Sequence, residues 1–351
     1  MEFMANMADF FPQYFLQTKQ WADFWATANK PNHQYFYFEN EYFEAYVYEY
    51  PWYFGEKFWY VPKGPATKKS FNKDNFKEFY NQILTAAKSQ GITYIKWDFD
   101  ESFTKSLEIS SNPQLAKFIL EIDENYETRL SSKTLQFLIT STLEIEKLTY
   151  DKNPENQYSP ERLGTFFNQN LDFWAVTNKN TRRCTRKALQ ANWQISTEKT
   201  QENFEKFWTV YDETRKRQNF STQSKDYTQQ LFNQDFSRVI ILSDENGPQS
   251  VWFGIASEKT ITYIYGGNTT DSFGKFGQYL AHLAALQMIL LEGRVFYDFG
   301  GYDITKGYGK FKENYKGTIR EFLGPIDILL KPLKFNLISF IIRILKFIQR
   351  K

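Results

Sequence analysis

The sequence predicts a mixed α/β fold in which two similar strand–helix–strand segments contribute to sheets that helices cover. The chain has 351 residues, of which 42% are hydrophobic and 24% charged, a composition typical of a globular protein with two domains. Each segment contains a strand, a glycine turn, a helix, a second glycine and a strand ending in Asp. A strand–helix–strand unit of this length favours a parallel or mixed sheet.

The first segment begins with a strand over residues 58–61 and the turn at Gly64. A helix is predicted over residues 74–90, because its apolar positions follow the i, i+3, i+4, i+7 spacing of an amphipathic helix. Gly91 ends this helix, and a strand over residues 92–98 ends in Asp98.

The second segment repeats this order with a strand over 261–265, a helix over 276–292 and a strand over 294–298. The turn glycine and the helix-ending glycine are 27 residues apart in the first copy (64 to 91) and 26 in the second (267 to 293). We predict a first domain over 1–143 with a return segment at about 318–332, a second domain over 144–317, and a C-terminal amphipathic helix over 333–351.

Composition excludes several classes of site. The net charge of +2 excludes a strongly basic, histone-like nucleic-acid binder. A single cysteine excludes a disulfide framework, and with two histidines we expect no metal site. That cysteine, Cys184, lies in a basic stretch expected to be an exposed helix, which disfavours a Cys–His catalytic pair. Residues 1–15 lack the features of a secretory signal, so a cytoplasmic protein is expected.

Basic residues cluster at two places that suit phosphate. Arg182, Arg183, Arg186 and Lys187 fall within six positions, and on a helix they form pairs four residues apart. Guanidinium groups bind phosphate with two parallel hydrogen bonds. Arg217 ends the second cluster, at 215–217. Two clusters favour a polyanionic ligand, and a solvated helix face is the alternative for the first.

Two glycine-containing loops are further candidates. Gly274-x-x-Gly277 precedes the second predicted helix and suits either phosphate or a plain turn. The segment 298–312 carries glycines at 300, 301, 307 and 309, and lysines at 306, 310 and 312. Such a loop at the carboxyl end of a strand is where open α/β sheets bind ligands. A loop without function is the alternative.

The tail, residues 333–351, predicts a helix with a broad apolar face and a narrow polar stripe that carries basic residues. This pattern is typical of a helix that lies in a membrane interface. A helix packed on the body of the protein, or in a dimer interface, is the alternative. No run of 18 uninterrupted apolar residues occurs, so no transmembrane span is predicted.

In their order and spacing, the motifs resemble the Fem family of peptidoglycan-bridge aminoacyltransferases over most of the chain. The matching residues are Gln17 and Trp21, 60–65, 94–98, 181–188, 213–227, 297–301, 311–312 and 321–324. The resemblance implies two tandem GNAT-like domains, each a mixed sheet flanked by helices, that use aminoacyl-tRNA in place of acyl-CoA. Two features depart from it: no Lys directly follows Trp21, after which the next cation is Lys30, and a long helical arm is absent between 189 and 203.

The resemblance implies a reaction in which an amine on the peptide stem of a peptidoglycan precursor attacks the ester of an aminoacyl-tRNA. An activated ester needs no covalent nucleophile, and no other cofactor is expected. The implied catalytic residues are Lys312, beside Phe311, and Asp98. The implied substrate-binding residues are Arg217, Tyr263, Tyr265, Tyr227, Arg182, Arg183, Lys187, Lys63 and Trp21.

The same resemblance implies aminoacyl-tRNA and a lipid-linked or nucleotide-linked precursor as partners. With the tail, it implies a cytoplasmic monomer or weak dimer, peripheral at the inner face of the plasma membrane. Two alternatives stay open. One is an acyl-CoA-dependent N-acyltransferase, which the Gly274–Gly277 loop would support. The other is a non-catalytic membrane-peripheral binding protein.

Overall fold

The structure is a computed structural model that describes residues 14–29, 33–131, 134–150 and 158–348. The N-terminal stretch considered for a signal, Lys30, most of the linker at 151–160 and the last three residues lie outside the described residues. Two compact units are present. One combines the described residues up to Leu138 with those from Glu321 onward, and the other is Ile139–Arg320.

Strands and helices alternate along much of the chain. The strands are β1 (Gln34–Glu39), β2 (Phe43–Pro51), β3 (Lys57–Pro62), β4 (Ala66–Thr67), β5 (Tyr94–Asp98), β6 (Glu127–Leu130), β7 (Ile139–Glu144), β8 (Gln194–Ser196), β9 (Ser237–Asp244), β10 (Gly247–Ala256), β11 (Thr260–Asn268), β12 (Phe296–Gly301), β13 (Thr318–Glu321) and β14 (Ile326–Leu329). The helices are α1 (Lys19–Ala28), α2 (Lys73–Ser89), α3 (Glu101–Ser106), α4 (Asn112–Ile122), α5 (Pro160–Gln169), α6 (Leu171–Val176), α7 (Lys179–Leu189), α8 (Gln201–Gln218), α9 (Lys225–Phe232), α10 (Gly277–Leu291), α11 (Gly307–Glu313) and α12 (Pro332–Ile348).

Each unit is built on a mixed sheet. In the first unit the order is β1-β2-β3-β5-β14-β6, with β4 beside β2, and in the second it is β13-β7-β12-β11-β10-β9-β8. The parallel pairs are β3 with β5 and β11 with β12, and each pair is joined through a helix, α2 or α10. These are the two predicted strand–helix–strand segments, and the mixed α/β class is confirmed. The strand β7 spans the boundary predicted at residue 143 and pairs with β12.

The helices of both segments follow from their sequences. In α2 the predicted apolar stripe is buried, and Asn72 caps the helix in a reciprocal capping box with Asn75. The last turn of α2 is followed by Gly91 at φ +68°, a backbone conformation that favours glycine. Almost every residue of α10 is buried, so this helix forms the centre of the second core.

Gln17 ties the opening segment to the turn after β3. Its amide nitrogen donates to the carbonyls of Pro62 at 2.7 Å and Tyr46 at 3.2 Å, and its oxygen accepts the backbone N–H of Tyr46. A Cβ at Gly64 would lie 2.9 Å from the Gln17 side chain. The close approach explains why Gln and the Gly-Pro turn occur together in the sequence.

The predicted C-terminal helix is confirmed as α12, and one of its faces packs on the first unit. The Phe335 ring stacks on Trp52 with centroids 5.4 Å apart, and Ile338 is buried. Lys334 forms an ion pair with Glu56, and Asn336 accepts a hydrogen bond from Arg129. The opposite face leaves large apolar side chains exposed at Leu333, Leu337, Phe340, Ile344, Leu345, Phe347 and Ile348. Within the described ranges, no helix is both long and apolar enough to cross a membrane.

We expect the buried ion pair between Lys96 and Asp327 to be important for stability, since it joins β5 to the returning strand β14. The two charged atoms are 2.7 Å apart, and both side chains are at least 90% buried. The change Asp327→Ala leaves the Lys96 ammonium buried without its carboxylate, and should lower the free energy of unfolding by about 3 kcal/mol. The change Glu121→Ala removes an exposed partner of Lys73 and should cost less than about 1 kcal/mol. Urea titrations of both variants measure this difference, and equal losses would contradict it.

Candidate active site

Lys312 lies at the centre of the candidate site in the second unit. The short helix α11 carries it, and its side chain is buried, with 6% of the residue exposed. The ammonium donates to the carbonyl oxygen of Gly301 at 2.6 Å. It also lies 5.4 Å from the ring centre of Tyr263 and 5.3 Å from that of Tyr308, within cation–π range. The glycine-containing end of β12 therefore holds this lysine through its backbone.

Glycine is required next to this contact. Gly300 has φ +68°, and a Cβ there would lie 2.5 Å from the carbonyl oxygen of Tyr263. The β12 backbone thus approaches β11 too closely for any other residue. This close approach places the Gly301 carbonyl and the Tyr263 ring around the same ammonium.

Burial makes Lys312 more acidic than a lysine in water. It lowers the pKa of Lys312 to about 8, although the negative charge of Asp298 acts in the opposite direction. Burial also raises the pKa of Asp298, against the positive charge of Arg320. A lysine with this pKa gives up its proton more readily near neutral pH, which suits proton transfer as well as charge stabilisation.

His282, which the sequence considerations did not select, lies against this lysine. Its ring is fully buried on α10, with its centre 5.0 Å from those of Tyr263 and Phe311. Burial, together with the nearby Lys312 charge, lowers the pKa of His282 to about 3, so the ring is neutral. The predicted residue Phe311 therefore packs on the histidine.

A chain of hydrogen bonds holds the His282 ring in place. Trp252 donates from its indole nitrogen to the hydroxyl oxygen of Tyr297 at 2.8 Å, and that hydroxyl bonds to Nδ1 of His282. The other ring nitrogen, Nε2, has no hydrogen-bond partner among the described residues. A buried histidine with two buried aromatic partners gives no local sequence pattern, so only the structure reveals it.

A bulge in β11 separates the two predicted tyrosines. Tyr265 pairs with Phe253 and Tyr263 with Gly254, so Ile264 is an extra residue opposite the break. Tyr263 stacks on Trp252, whereas Tyr265 stacks on Phe253. Trp252 and Phe253 are adjacent in β10 and so point to opposite faces of the sheet. The i, i+2 spacing would have placed both tyrosines on one face, and the bulge changes this.

Arg217 lies beyond Tyr265, at the end of β11. Its guanidinium donates to the carbonyl of Asn268 at 2.8 Å and to the carboxylate of Glu213 at 3.1 Å, and it lies over the Phe273 ring. Its Nε atom is buried without a hydrogen-bond partner. The side chain is thus oriented by the protein and retains a donor.

Tyr265 is the aromatic residue nearest in sequence to this end of β11. Its ring centre lies 5.0 Å from that of Tyr211. Burial, and then the neighbours Tyr211 and Tyr227, raise the pKa of Tyr265. Tyr227, near the start of α9, therefore lies close to the predicted set.

The basic residues of helix α7 have different surroundings. Arg182 donates to the carbonyls of Trp174, Ala175 and Thr177, so its guanidinium closes the end of α6. Arg183 and Lys187 are exposed, and both charges lie within 6 Å of the Phe276 ring centre at the start of α10. Of the three residues predicted on α7, Arg183 and Lys187 therefore lie beside the Gly274–Gly277 loop, and Arg182 does not.

The expectation of an exposed Cys184 is wrong, because only 1% of this residue is exposed. The buried side of α7 consists of Thr181, Cys184, Thr185 and Ala188, which have the i, i+3, i+4, i+7 spacing of a helix face. Their small size and the surrounding basic residues made this face inconspicuous in the sequence.

In the first unit, Asp98 and Lys63 form a buried ion pair at the carboxyl ends of the parallel strands β5 and β3. Nζ of Lys63 lies 3.1 Å from one carboxylate oxygen, and the hydroxyl of Tyr60 donates to Asp98 at 3.3 Å. Burial raises the pKa of Asp98, and the Lys63 charge acts in the opposite direction. Nζ of Lys63 also lies 3.7 Å from the ring centre of Phe322.

Trp21 is half-buried on α1, at the side of this unit formed by the opening segment. Its ring centre lies 4.9 Å from that of Phe15. Within the described ranges, no group of three or more His, Cys, Asp or Glu side chains is placed to hold a metal ion.

Comparison with known proteins finds a family match over part of the chain. The FemAB family model matches residues 235–343, the part of the chain that contains His282, Lys312 and both tyrosines of β11. The predicted resemblance to the Fem family is thereby confirmed. This match supports a transferase. No curated protein sequence matches the chain.

Solved structures extend the likeness to most of the chain at the level of the fold. The crystal structure of FemX is 13% identical, covers 92% of this chain and 94% of its own, and has a TM-score of 0.66. L-PGS from Bacillus licheniformis is also 13% identical, with coverages of 91% and 90% and a TM-score of 0.50. The fold class, two tandem GNAT-like domains, is confirmed together with the C-terminal helix α12.

The lowered pKa of Lys312 predicts a specific pH dependence of stability. Between pH 8 and pH 10.5 the folded protein releases this proton while the unfolded chain keeps it, so stability rises with pH in this window. The free energy of unfolding of wild type relative to Lys312→Met should rise by about 2 kcal/mol between pH 8 and pH 9.5. Urea titrations at several pH values measure it. A constant difference would show that Lys312 titrates normally.

Proposed function

We propose that the protein transfers an amino acid from aminoacyl-tRNA to an amine on the stem peptide of a peptidoglycan precursor. The observation that carries this proposal is the buried Lys312 ammonium, held on the Gly301 carbonyl inside the FemAB-matched segment. A preorganised cation in a water-poor site stabilises charge that develops on a reacting oxygen.

The reaction needs no covalent enzyme intermediate. The nitrogen of the precursor amine attacks the ester carbonyl carbon, a C–N bond forms, and the bond from that carbon to the ribose oxygen breaks. The amine loses a proton and the ribose oxygen gains one. Lys312 stabilises the negative charge on the carbonyl oxygen and gives its proton to the leaving oxygen, and the proton that the amine loses restores the Lys312 ammonium. Phe311 and His282 fix the surroundings of this lysine.

Phosphate groups of the substrates are assigned to the oriented cations. We assign the precursor diphosphate to Arg217, with Tyr265 and Tyr227 beside the sugar, because this guanidinium is fixed at the end of β11. Phosphates of the tRNA are assigned to Arg183 and Lys187, which lie beside Phe276 at the start of α10, because a helix N-terminus favours an anion.

Four further residues take supporting roles in this proposal. Arg182 positions α7, since its guanidinium is engaged by three carbonyls. Asp98 and Lys63 act as a pair, in which the carboxylate orients the lysine for the acceptor peptide. Trp21 offers an aromatic surface on the same unit.

The change Lys312→Met should lower the rate of transfer by about 10²–10³-fold, because it removes the cation that stabilises the transition state. The assay mixes purified protein with tRNA charged with radiolabelled amino acids and with either a nucleotide-linked or a lipid-linked precursor. Lys310→Met is the matched control, since Lys310 is exposed on the same helix and should leave the rate unchanged.

Two results would contradict the proposal. If the protein transfers an acetyl group from acetyl-CoA but no amino acid from any charged tRNA, it is an acyl-CoA-dependent acyltransferase. Binding of a precursor by wild type without transfer from any donor would make it a non-catalytic binding protein. An unchanged rate in Lys312→Met, with wild-type folding by circular dichroism, would remove Lys312 from the mechanism.

We further propose that the enzyme works in the cytoplasm at the inner face of the plasma membrane, with α12 lying in the interface. Its outward face exposes several large apolar side chains, and α12 contains Lys334, Arg343 and Lys346 but no acidic residue. Apolar burial and attraction to anionic lipid act together at such a face.

In vesicle flotation, the full chain should bind vesicles containing phosphatidylglycerol more strongly than vesicles of phosphatidylcholine alone. Leu337→Glu should weaken that binding by about tenfold or more, because it replaces an exposed apolar contact with a negative charge. Leu337→Met is the control and should bind as wild type does. Equal binding of Leu337→Glu and Leu337→Met would show that this face does not contact the membrane.

A further inference from the structure

A cavity of about 630 Å³ lies within the first unit, between the inner face of α12 and the sheet. This volume is within the range of pockets that bind small molecules. None of the proposed catalytic or substrate-binding residues lines it. Its lining residues are Trp52, Tyr53, Phe58, Tyr94, Lys96, Arg129, Leu130, Ser131, Leu135, Asp327, Phe335, Asn336, Ser339, Phe340, Ile342, Arg343 and Lys346.

The interior and the mouth of the cavity differ in chemistry. Buried or half-buried aromatic rings form one wall, among them Phe58, Tyr94 and Phe335. The charged groups in the interior, Lys96 and Asp327, neutralise each other in their ion pair. The interior therefore suits a hydrocarbon chain.

The cations are at the mouth. Arg129, Arg343 and Lys346 are all exposed there. Glu127 of β6 forms an ion pair with Arg129, whereas α12 itself carries no acidic residue. A guanidinium at a partly apolar opening is a favourable partner for a phosphate group. The mouth thus suits the anionic head of a molecule whose chain lies inside.

The mouth also continues into the exposed apolar face of α12. Phe340 lines the cavity and is itself 61% exposed, and Leu130 and Leu135 at the opening are also exposed. A chain entering or leaving the cavity would pass directly onto the face that we assign to the membrane. This continuity favours a molecule drawn from a bilayer over a soluble ligand.

We propose that this cavity binds one anionic phospholipid, with hydrocarbon against the aromatic wall and the phosphate at Arg343. The inference rests on the proposed membrane placement of α12 and not on the transfer reaction. Binding of a single lipid would anchor the helix more specifically than adsorption of its outer face, because the lipid would contact both α12 and the sheet.

Native mass spectrometry of the full chain tests this with short-chain lipids below their micelle concentration, so that no membrane is needed. We expect one dihexanoyl phosphatidylglycerol per chain, and binding of dihexanoyl phosphatidylcholine weaker by about fivefold or more. Ser339→Trp, which fills the cavity from α12, should lower occupancy by about tenfold or more. Leu337→Trp is the matched control on the outer face of the same helix. Arg343→Gln should weaken binding by about fivefold.

Equal retention of the two lipids would overturn the assignment of an anionic head. Wild-type occupancy in Ser339→Trp, with the variant folded by circular dichroism, would overturn the assignment of the cavity. Loss of lipid binding in Ser339→Trp with vesicle flotation and aminoacyl transfer intact would support a lipid site separate from both other functions. Failure of the transfer assay alone would leave this inference unaffected.

Discussion

Burial of the Lys312 ammonium is the constraint on which the candidate active site depends. An isolated charge in an apolar interior is strongly unfavourable, so the surrounding backbone and rings must replace water. The Gly301 carbonyl supplies the hydrogen bond, Tyr263 and Tyr308 supply ring faces, and Asp298 supplies a balancing charge. The close approach of β12 to β11 is therefore part of the chemistry, because it brings these groups around one atom.

The bulge in β11 divides the second unit into two chemical environments. On one face, Tyr263 lies beside the Lys312 ammonium and packs on Trp252 and His282. The other face carries Tyr265 and its neighbours, and the strand ends at the carbonyl that orients Arg217. One strand thus supports both the site of charge stabilisation and the site assigned to phosphate, separated by roughly 16 Å along five residues.

In the first unit, too, buried charged side chains are balanced by nearby groups. Lys63 and Asp98 are buried as a pair at the ends of two parallel strands, and Lys96 and Asp327 form a second pair where the chain returns. The second pair neutralises the floor of the cavity below α12. One face of α12 packs on the sheet, and another is apolar and exposed. The same helix therefore contributes to both the proposed membrane contact and the proposed lipid site.

The sequence by itself determined the two strand–helix–strand segments and the terminal helix, because periodicity and glycine positions are local properties. It did not determine which charged side chains are buried. The pairing of Lys63 with Asp98, the engagement of Arg182 and the burial of Cys184 depend on which side of each helix or strand faces the core. The His282 network and the bulge at Ile264 depend on partners in neighbouring strands and helices. Tertiary structure alone decided these features, since they arise from contacts between residues far apart in the chain.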